Sequence, residues 1–357
     1  MNNDTQTILS EFSDPYRRSL IDRICVALGD LTIPRVKALG LWFADIKALE
    51  VLVENPHMLH IILVSCNQYD FARIWASDGQ APRSSQPEES IRVTVIDREE
   101  ARCVLTRRGE PSLEVAHIIR NRINGTTQDE HEGNDVWGFL RIFWSEEKVN
   151  AWKQALMPGG VLVSTERVCN LITLDLIAHD QWDRGLIAFR PISVNEEETK
   201  MRIAFHWLPF RSDTIARNDR MLPAAVRDMD LGTPPSKTPG RSNYFFDMET
   251  REVISSGHVF TVRTNDKEKQ PLPSMELLEL RWHLSRIAAM QGGADEDDDS
   301  GEDSDGGSFS VPSGSRSPVK RKRENVSSQS PTRSVSPKRL RTLPSRGNLS
   351  SLIEDDL

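Results

Sequence analysis

Cysteine is scarce in this sequence, and long apolar runs are absent from it. The four cysteines, Cys25, Cys66, Cys103 and Cys169, lie far apart and form no C-x-x-C pair. That spacing argues against a structural zinc site or a disulfide framework and fits a reducing compartment. No apolar run approaches the ~20 residues that cross a bilayer. The N-terminus lacks a basic region followed by an apolar stretch, so we expect a soluble intracellular protein with no signal peptide and no membrane partner.

An excess of positive charge is also missing. The 357 residues carry 45 Lys and Arg against 53 Asp and Glu, which gives a net charge of −8. Residues 292–357 account for −2 of this charge and the rest of the chain for −6. A bulk positive field toward nucleic acid is therefore excluded, and any contact with DNA must come from a local basic patch.

Length and composition divide the chain into three parts. A length of 357 residues suits two or three domains of roughly 100–200 residues each. The pattern is helical over an N-terminal region, residues 1–80, and a polar, Pro-containing stretch at 78–89 is typical of a linker. A second domain follows over residues 90–290. Residues 292–357 combine acidic runs with Ser, Pro, Lys and Arg, which cannot bury enough apolar surface to fold, so we expect disorder there.

Within the second domain, helical and strand patterns are mixed, which predicts an α+β fold. Alternation predicts a strand over Ile91–Ile96 and a hairpin that joins 104–106 to 113–119. Capping chemistry predicts the starts of three helices, at Ser145, Asp175 and Ser274. Further strands are predicted at 187–192, 201–208, 245–246 and 259–262.

Two polar residues border short apolar runs. His117 lies at the end of the predicted strand Glu114–Ile118, which would fix the direction of its ring, and a neutral imidazole can act as general base toward water. The alternative is a half-buried strand histidine that makes one hydrogen bond. Asn170 precedes the run Leu171–Leu174 and is a candidate to orient His117 through its amide. Otherwise it is an ordinary cap or turn residue.

His179 and Asp183 are four residues apart. In a helix that spacing places them on one face, as two ligands of one metal ion must be. The alternative is an i,i+4 His–Asp pair on a solvated helix face.

Taken in order, these pieces resemble the HNH (ββα-metal) nuclease family in the form common among fungal proteins. The likeness rests on Cys103–Thr106, on Ala116–Ile118 at a strand end, on Asn170–Leu174 and on His179–Leu186. It covers about residues 90–290. Each motif is short, and their joint presence in this order makes the likeness specific.

The resemblance implies a ββα-metal core. The chain departs from the compact family core in one respect, because Asn170 lies 53 positions after His117, so the gap must hold a long helical insertion. It implies that His117 is the general base and that Asn170 holds the loop of His117. His179 would be a ligand of a divalent metal ion, Mg²⁺, Mn²⁺ or Zn²⁺, and Asp183 a candidate second ligand. Arg184 would contact the scissile phosphate, with a surface salt bridge as the alternative.

A second departure from the family pattern concerns the position directly before the base. Many members carry an acidic or histidine ligand directly before the base, where this chain has Ala116. Metal binding would then rest on His179, Asp183, water and substrate. Cys103 and Cys169 are the other candidate ligands, but two cysteines without a second pair are more typical of a hydrophobic core.

The C-terminal part carries two basic clusters, residues 318–323 and 337–341. Such clusters are typical of nuclear import signals or nucleic-acid contacts, and the alternative is a solvated linker with chance clusters. We therefore expect a nuclear protein with an import receptor, and with DNA, as partners.

Two functions remain open at this stage. The first is a metal-dependent HNH endonuclease that hydrolyses DNA phosphodiester bonds, which His117, Asn170 and His179 favour. The second is a catalytically inactive nuclear interaction protein with the same fold, which Ala116 and the net −6 of the folded part favour.

Overall fold

The computed structural model of the chain describes residues 8–64, 87–119, 136–160, 165–208, 220–228 and 244–291. The chain divides into two compact units, residues 1–301 and 302–357, and all described residues belong to the first. The predicted disordered tail with its basic clusters lies outside the described residues, as does most of the predicted 78–89 linker. The domain boundaries inferred from composition stay predictions.

Helices and strands are mixed throughout the described residues, as the α+β prediction required. The helices are α1 (Pro15–Leu28), α2 (Arg35–Phe43), α3 (Ile46–Glu54), α4 (Pro56–Leu59), α5 (Glu89–Arg98), α6 (Val136–Phe143), α7 (Glu146–Leu156), α8 (Leu176–Asp183) and α9 (Met275–Gln291). The strands are β1 (Ile33–Pro34), β2 (Leu113–His117), β3 (Leu171–Asp175), β4 (Ile187–Val194), β5 (Lys200–Trp207), β6 (Arg220–Met221), β7 (Phe245–Phe246), β8 (Val253–Ile254) and β9 (Val259–Arg263).

The N-terminal helices share one hydrophobic core with the later elements. Helix α2 is buried along almost its whole length, and Gly40 within it lets the Phe143 ring of α6 approach closely. A Cβ at position 40 would lie 2.7 Å from that ring. The backbone N–H of Asp45 also donates to the carbonyl of Phe143 (2.8 Å). Residues that precede the predicted linker therefore pack directly on the region that follows it.

Strands β2 and β3 pair antiparallel, and α8 follows β3 without a loop. Leu113 lies opposite Asp175, and His117 lies opposite Leu171. Asp175 ends β3 and caps α8, because its Oδ1 accepts from the backbone N–H groups of Ile177 and Ala178 (both 3.0 Å). The helix start predicted from Asp175 is confirmed.

Helix α5 covers the outer edge of β3. The predicted strand over Ile91–Ile96 is wrong, because these residues lie in this helix. Alternating β-branched residues favour a strand locally, but Val95 and Ile96 instead pack together on Val115 and Leu171 of the strand pair.

Two side chains at the end of α5 satisfy backbone groups of β3 that no neighbouring strand pairs. Arg98 donates to the Leu171 carbonyl (2.7 Å), and Glu99 accepts from the Thr173 N–H (2.6 Å). The two side chains also form a buried ion pair (2.6 Å). An edge covered in this way cannot add a further strand.

The predicted hairpin between 104–106 and 113–119 is also wrong. Residues 104–106 form a turn rather than a strand, and β2 pairs with β3, which lies more than 50 residues further along the chain. Only an isolated bridge joins Arg102 to Gly109. The pairing of β2 with β3 depends on packing on both faces of the strand pair. The local sequence pattern contains no information on that packing.

A second sheet, in the order β4–β5–β9, is antiparallel throughout, and α9 packs on β4. The predicted strands at 187–192, 201–208, 245–246 and 259–262 are present as β4, β5, β7 and β9. The caps of two further helices are also confirmed. Ser145 accepts from the Lys148 N–H at the start of α7 (3.3 Å), and Ser274 accepts from the Leu277 N–H at the start of α9 (3.2 Å).

Candidate functional site

His117 ends β2 and is only 7% exposed. Its Nε2 lies 2.8 Å from Oε1 of Glu166, in the segment that leads to β3. A carboxylate at this distance favours the tautomer that carries its proton on Nε2 and its lone pair on Nδ1. This hydrogen bond to Glu166 is compatible with both readings of His117, the general base and the strand histidine that makes one hydrogen bond, so the catalytic role stays a prediction.

Asn170 is fully buried and joins the segment before β3 to the residues that follow His117. Its Oδ1 accepts from the Ile119 N–H (2.9 Å), and its Nδ2 donates to the carbonyls of Ile119 (2.8 Å) and Thr165 (3.1 Å). Its own carbonyl accepts from the Ile118 N–H (2.8 Å). These bonds hold the chain directly after His117, which is the geometry that a loop-holding role requires.

His179 lies on α8, is 8% exposed and contacts a carboxylate through each ring nitrogen. Its Nδ1 is 2.7 Å from Oε2 of Glu114 on β2, and its Nε2 is 3.1 Å from Oδ2 of Asp183. Burial lowers the pKa of His179, but the hydrogen bonds and charges of Asp183 and Glu114 outweigh it and leave the pKa above its usual value. His179 is thus buried and Asp183 partly exposed, which differs from a pair on a fully solvated helix face.

Glu114 is a residue of this site that the sequence patterns did not single out. It lies three positions before His117 in the same strand, and because side chains alternate along a strand, the two face opposite sides. The face of Glu114 also carries Ala116 and points toward α8. An acidic residue inside an otherwise apolar strand was the available signal, because such a side chain needs a partner when it is half-buried.

Arg184 follows the last residue of α8. Its Nη1 is 3.7 Å from Oδ2 of Asp180, and the Arg184 side chain is about one-third exposed. The structure therefore contains the surface ion pair that was the alternative for this residue, and a phosphate contact stays a prediction.

Cys103 is buried, and Thr106 donates its backbone N–H to the Cys103 sulfur (3.3 Å). Burial, with the nearby charge of Asp175, raises the pKa of the Cys103 thiol to about 11. The thiol form is thus favoured at neutral pH, which suits a core residue. Cys169 is half-buried, and both cysteines are free thiols.

Within the described part of the chain, no group of three or more His, Cys, Asp or Glu side chains is arranged to hold a metal ion. Two side-chain atoms are nonetheless spaced as neighbouring ligands of one metal ion would be. His179 Nε2 and Asp183 Oδ2 are 3.1 Å apart, close to the separation of neighbouring donors around an ion with bonds of about 2.1 Å. Glu114 on Nδ1 supplies the carboxylate that commonly orients a metal-binding histidine. A bound ion would replace the proton on Nε2.

Comparison with known protein families gives a match to part of the chain. No curated protein and no solved structure matches the chain. In the described residues, no helix is long and apolar enough to span a bilayer. The matching family model is HNH_2, described as HNH endonuclease, and the matched segment is residues 103–190. That segment contains His117, Asn170, His179, Asp183 and Arg184, and the match supports an HNH nuclease domain in this part of the chain.

Proposed function

We propose that the chain is a metal-dependent endonuclease that hydrolyses DNA phosphodiester bonds on a ββα-metal core of β2, β3 and α8. Helices α6 and α7 would form the insertion between the two strands. The observation that carries the proposal is the chain of contacts from Glu114 through His179 to Asp183, inside the segment that matches the HNH endonuclease model. HNH domains typically use a divalent metal ion, and the buried His179, with Asp183 beside it and the orienting carboxylate of Glu114, suits one.

In this proposal His117 removes a proton from the attacking water. Glu166 holds the ring in the required tautomer and stabilises the imidazolium that forms, because its carboxylate lies 2.8 Å from Nε2. Asn170 keeps the segment after His117 in place. After attack, the proton on His117 is available to the departing oxygen or to solvent.

His179 and Asp183 would hold the divalent ion, with water and phosphate oxygens as the remaining ligands. When bound, such an ion places positive charge against the phosphate and stabilises the leaving oxygen. Mg²⁺, Mn²⁺ and Zn²⁺ are all compatible with one nitrogen and one carboxylate oxygen. The usual ligand before the base is replaced by Ala116, so solvent or substrate supplies that position.

Arg184 would contact the phosphate from the end of α8. Its pairing with Asp180 at 3.7 Å is partly exposed, and such pairs contribute little, so a phosphate can replace the carboxylate at low cost.

We further propose that the basic clusters at 318–323 and 337–341 bind an import receptor and make the protein nuclear. A reporter fused to residues 312–345 should accumulate in the nucleus, and a purely cytosolic signal refutes the import proposal.

Nicking of supercoiled plasmid by the full-length protein with Mg²⁺ or Mn²⁺ tests the enzyme. His117→Ala should lower the rate at least about 100-fold, because general-base catalysis commonly contributes that much. His57→Ala is the matched control, since His57 is an exposed histidine on α4. Absence of nicking with either ion, or equal nicking by wild type and His117→Ala, refutes nuclease chemistry at this site.

A specific observation favours a second candidate, a nuclear interaction protein that has kept the fold and lost catalysis. Both ring nitrogens of His179 already contact carboxylates, and Ala116 removes one customary ligand. Calorimetric titration with Mn²⁺ separates the two functions. Binding that His179→Ala abolishes supports the enzyme, whereas a folded wild-type protein that binds no Mn²⁺ supports the interaction protein.

A further inference from the structure

Arg281 connects the two parts of the candidate site from outside the matched segment. It lies on α9, 91 residues beyond position 190, and is 3% exposed. Its Nη1 donates to the carbonyls of His117 (2.9 Å) and Ile118 (2.8 Å), at the end of β2. Its Nη2 donates to the carbonyl of Trp182 (3.0 Å), in the last turn of α8.

The same guanidinium also faces the second candidate ligand. Nη2 is 3.9 Å from Oδ1 of Asp183, whereas Oδ2 of that carboxylate faces His179 Nε2 at 3.1 Å. The guanidinium carbon lies 4.0 Å from the centre of the Trp182 ring, which restricts the group to one plane. Arg281 thereby assigns the two oxygens of Asp183 to different partners.

The contacts of Arg281 fix the position of the proposed base, His117, relative to the proposed metal ligand, Asp183. His117 is carried by the end of a strand, and Asp183 by the end of a helix. A guanidinium is planar and rigid, so bonds to both ends fix their separation and orientation. A lysine has one ammonium on a flexible stem and cannot reproduce the fork. A displacement of about 1 Å between reacting groups commonly costs on the order of 100-fold in rate.

We propose that Arg281 is a positioning residue that holds the His117 end of β2 and the Asp183 end of α8 in the geometry needed for hydrolysis, so that α9 is part of the nuclease site. The catalytic part of this inference rests on the proposed function. Its structural part, that Arg281 couples the two ends, can be tested without activity.

The same helix offers a matched control. Arg286 is 1% exposed and stacks on Trp282 (4.4 Å), much as Arg281 stacks on Trp182. Its Nη1, however, donates to the carbonyl of Ile8 (2.9 Å) and to Glu11 (2.9 Å) in the N-terminal segment, and its Nη2 contacts Nδ1 of His283 (3.0 Å). Loss of either arginine removes one buried cation from α9, but only one of them touches the candidate site.

Arg281→Met and Arg286→Met are compared in the full-length chain by hydrogen exchange and plasmid nicking. Arg281→Met should increase exchange in peptides that cover 113–119 and 176–184, and should lower the nicking rate per folded molecule about 100-fold. Arg286→Met should increase exchange near residues 8–13 and keep the nicking rate within about threefold of wild type. Similar exchange patterns in the two variants, or equal rate losses per folded molecule, overturn the proposal.

Two further measurements test the positioning role of Arg281. If Arg281→Met does not fold, Arg281→Lys retains the charge and should fold, with slower nicking and wild-type exchange outside 113–119 and 176–184. Guanidinium ion at low millimolar concentration should partly restore nicking by Arg281→Ala and leave Arg286→Ala unchanged, and equal restoration or none overturns the positioning role. If wild type itself does not nick DNA, the proposed function fails, and the exchange patterns alone decide whether Arg281 couples the two ends.

Discussion

Glu114 is the residue whose replacement most directly tests the metal part of the site. Glu114→Gln keeps the size of the side chain and an oxygen that accepts from His179 Nδ1, but it removes the negative charge 2.7 Å from that nitrogen. Without this charge His179 becomes a weaker donor to a cation. Replacement of a residue that orients a metal ligand typically lowers metal affinity 10–100-fold.

The exposed fraction of the Glu114 side chain sets the expected loss of Mn²⁺ affinity. The Glu114 side chain is 27% exposed, so solvent screens part of its charge, and the lower end of that range applies. We expect about a tenfold weaker affinity for Mn²⁺, equivalent to about 1.4 kcal/mol. Glu114→Ala also loses the hydrogen bond and should weaken binding further, toward about 100-fold.

The measurement is a calorimetric titration with Mn²⁺ at pH 8, together with the Mn²⁺ concentration that gives half-maximal nicking. The alkaline condition matters, because Glu114 raises the pKa of His179 and a proton on Nε2 competes with the metal at lower pH. Glu114→Gln should shift both values about tenfold and leave the rate at saturating Mn²⁺ near wild type. An unchanged Mn²⁺ requirement with a reduced saturating rate would refute the reasoning.

Three further predictions use other contacts of the structure. Glu166→Gln should leave the Mn²⁺ requirement unchanged and lower the saturating nicking rate about 10–100-fold, because the imidazolium of His117 loses its carboxylate; a shift of the Mn²⁺ requirement would contradict this. Burial and the charge of Arg286 hold the pKa of His283 well below its usual value, so the folded protein binds this proton less readily than the unfolded chain. The free energy of unfolding of wild type should then fall relative to that of His283→Gln by about 1.4 kcal/mol per pH unit as the pH falls below about 6.5. Urea unfolding of both proteins measures this, and a difference in free energy that does not change with pH would count against the prediction. Asn170→Ala should lower the free energy of unfolding by roughly 3 kcal/mol, because its side chain makes three buried hydrogen bonds to backbone; a loss below about 1 kcal/mol would show that these bonds are replaced.

Local chemistry made several elements predictable from the sequence. Ser145, Asp175 and Ser274 each supply an oxygen to the first turn of the helix that follows, and this capping needs no distant residue. The His179–Asp183 spacing was equally local, since four residues make one helical turn. The order of the short motifs around His117 and Asn170 was sufficient to indicate an HNH nuclease domain, and the family match over 103–190 supports that reading.

The partners of these residues required the tertiary structure. Ile91–Ile96 alternates like a strand and is helical, because Val95 and Ile96 pack on the strand pair. Strand β2 pairs with β3 rather than with its neighbour in sequence, since pairing is set by what covers both faces of the sheet.

The sequence by itself therefore determined the helix caps, the His179–Asp183 spacing and the motif order that matches an HNH endonuclease model, because these are properties of short segments. Only the tertiary structure decided which side chains and backbone groups contact these residues. Glu114 and His179 are 65 residues apart, His117 and Glu166 are 49 apart, and Arg281 contacts the His117 carbonyl across 164 residues. Such contacts arise from the packing of α8 and α9 around the strand pair, and no local pattern encodes them.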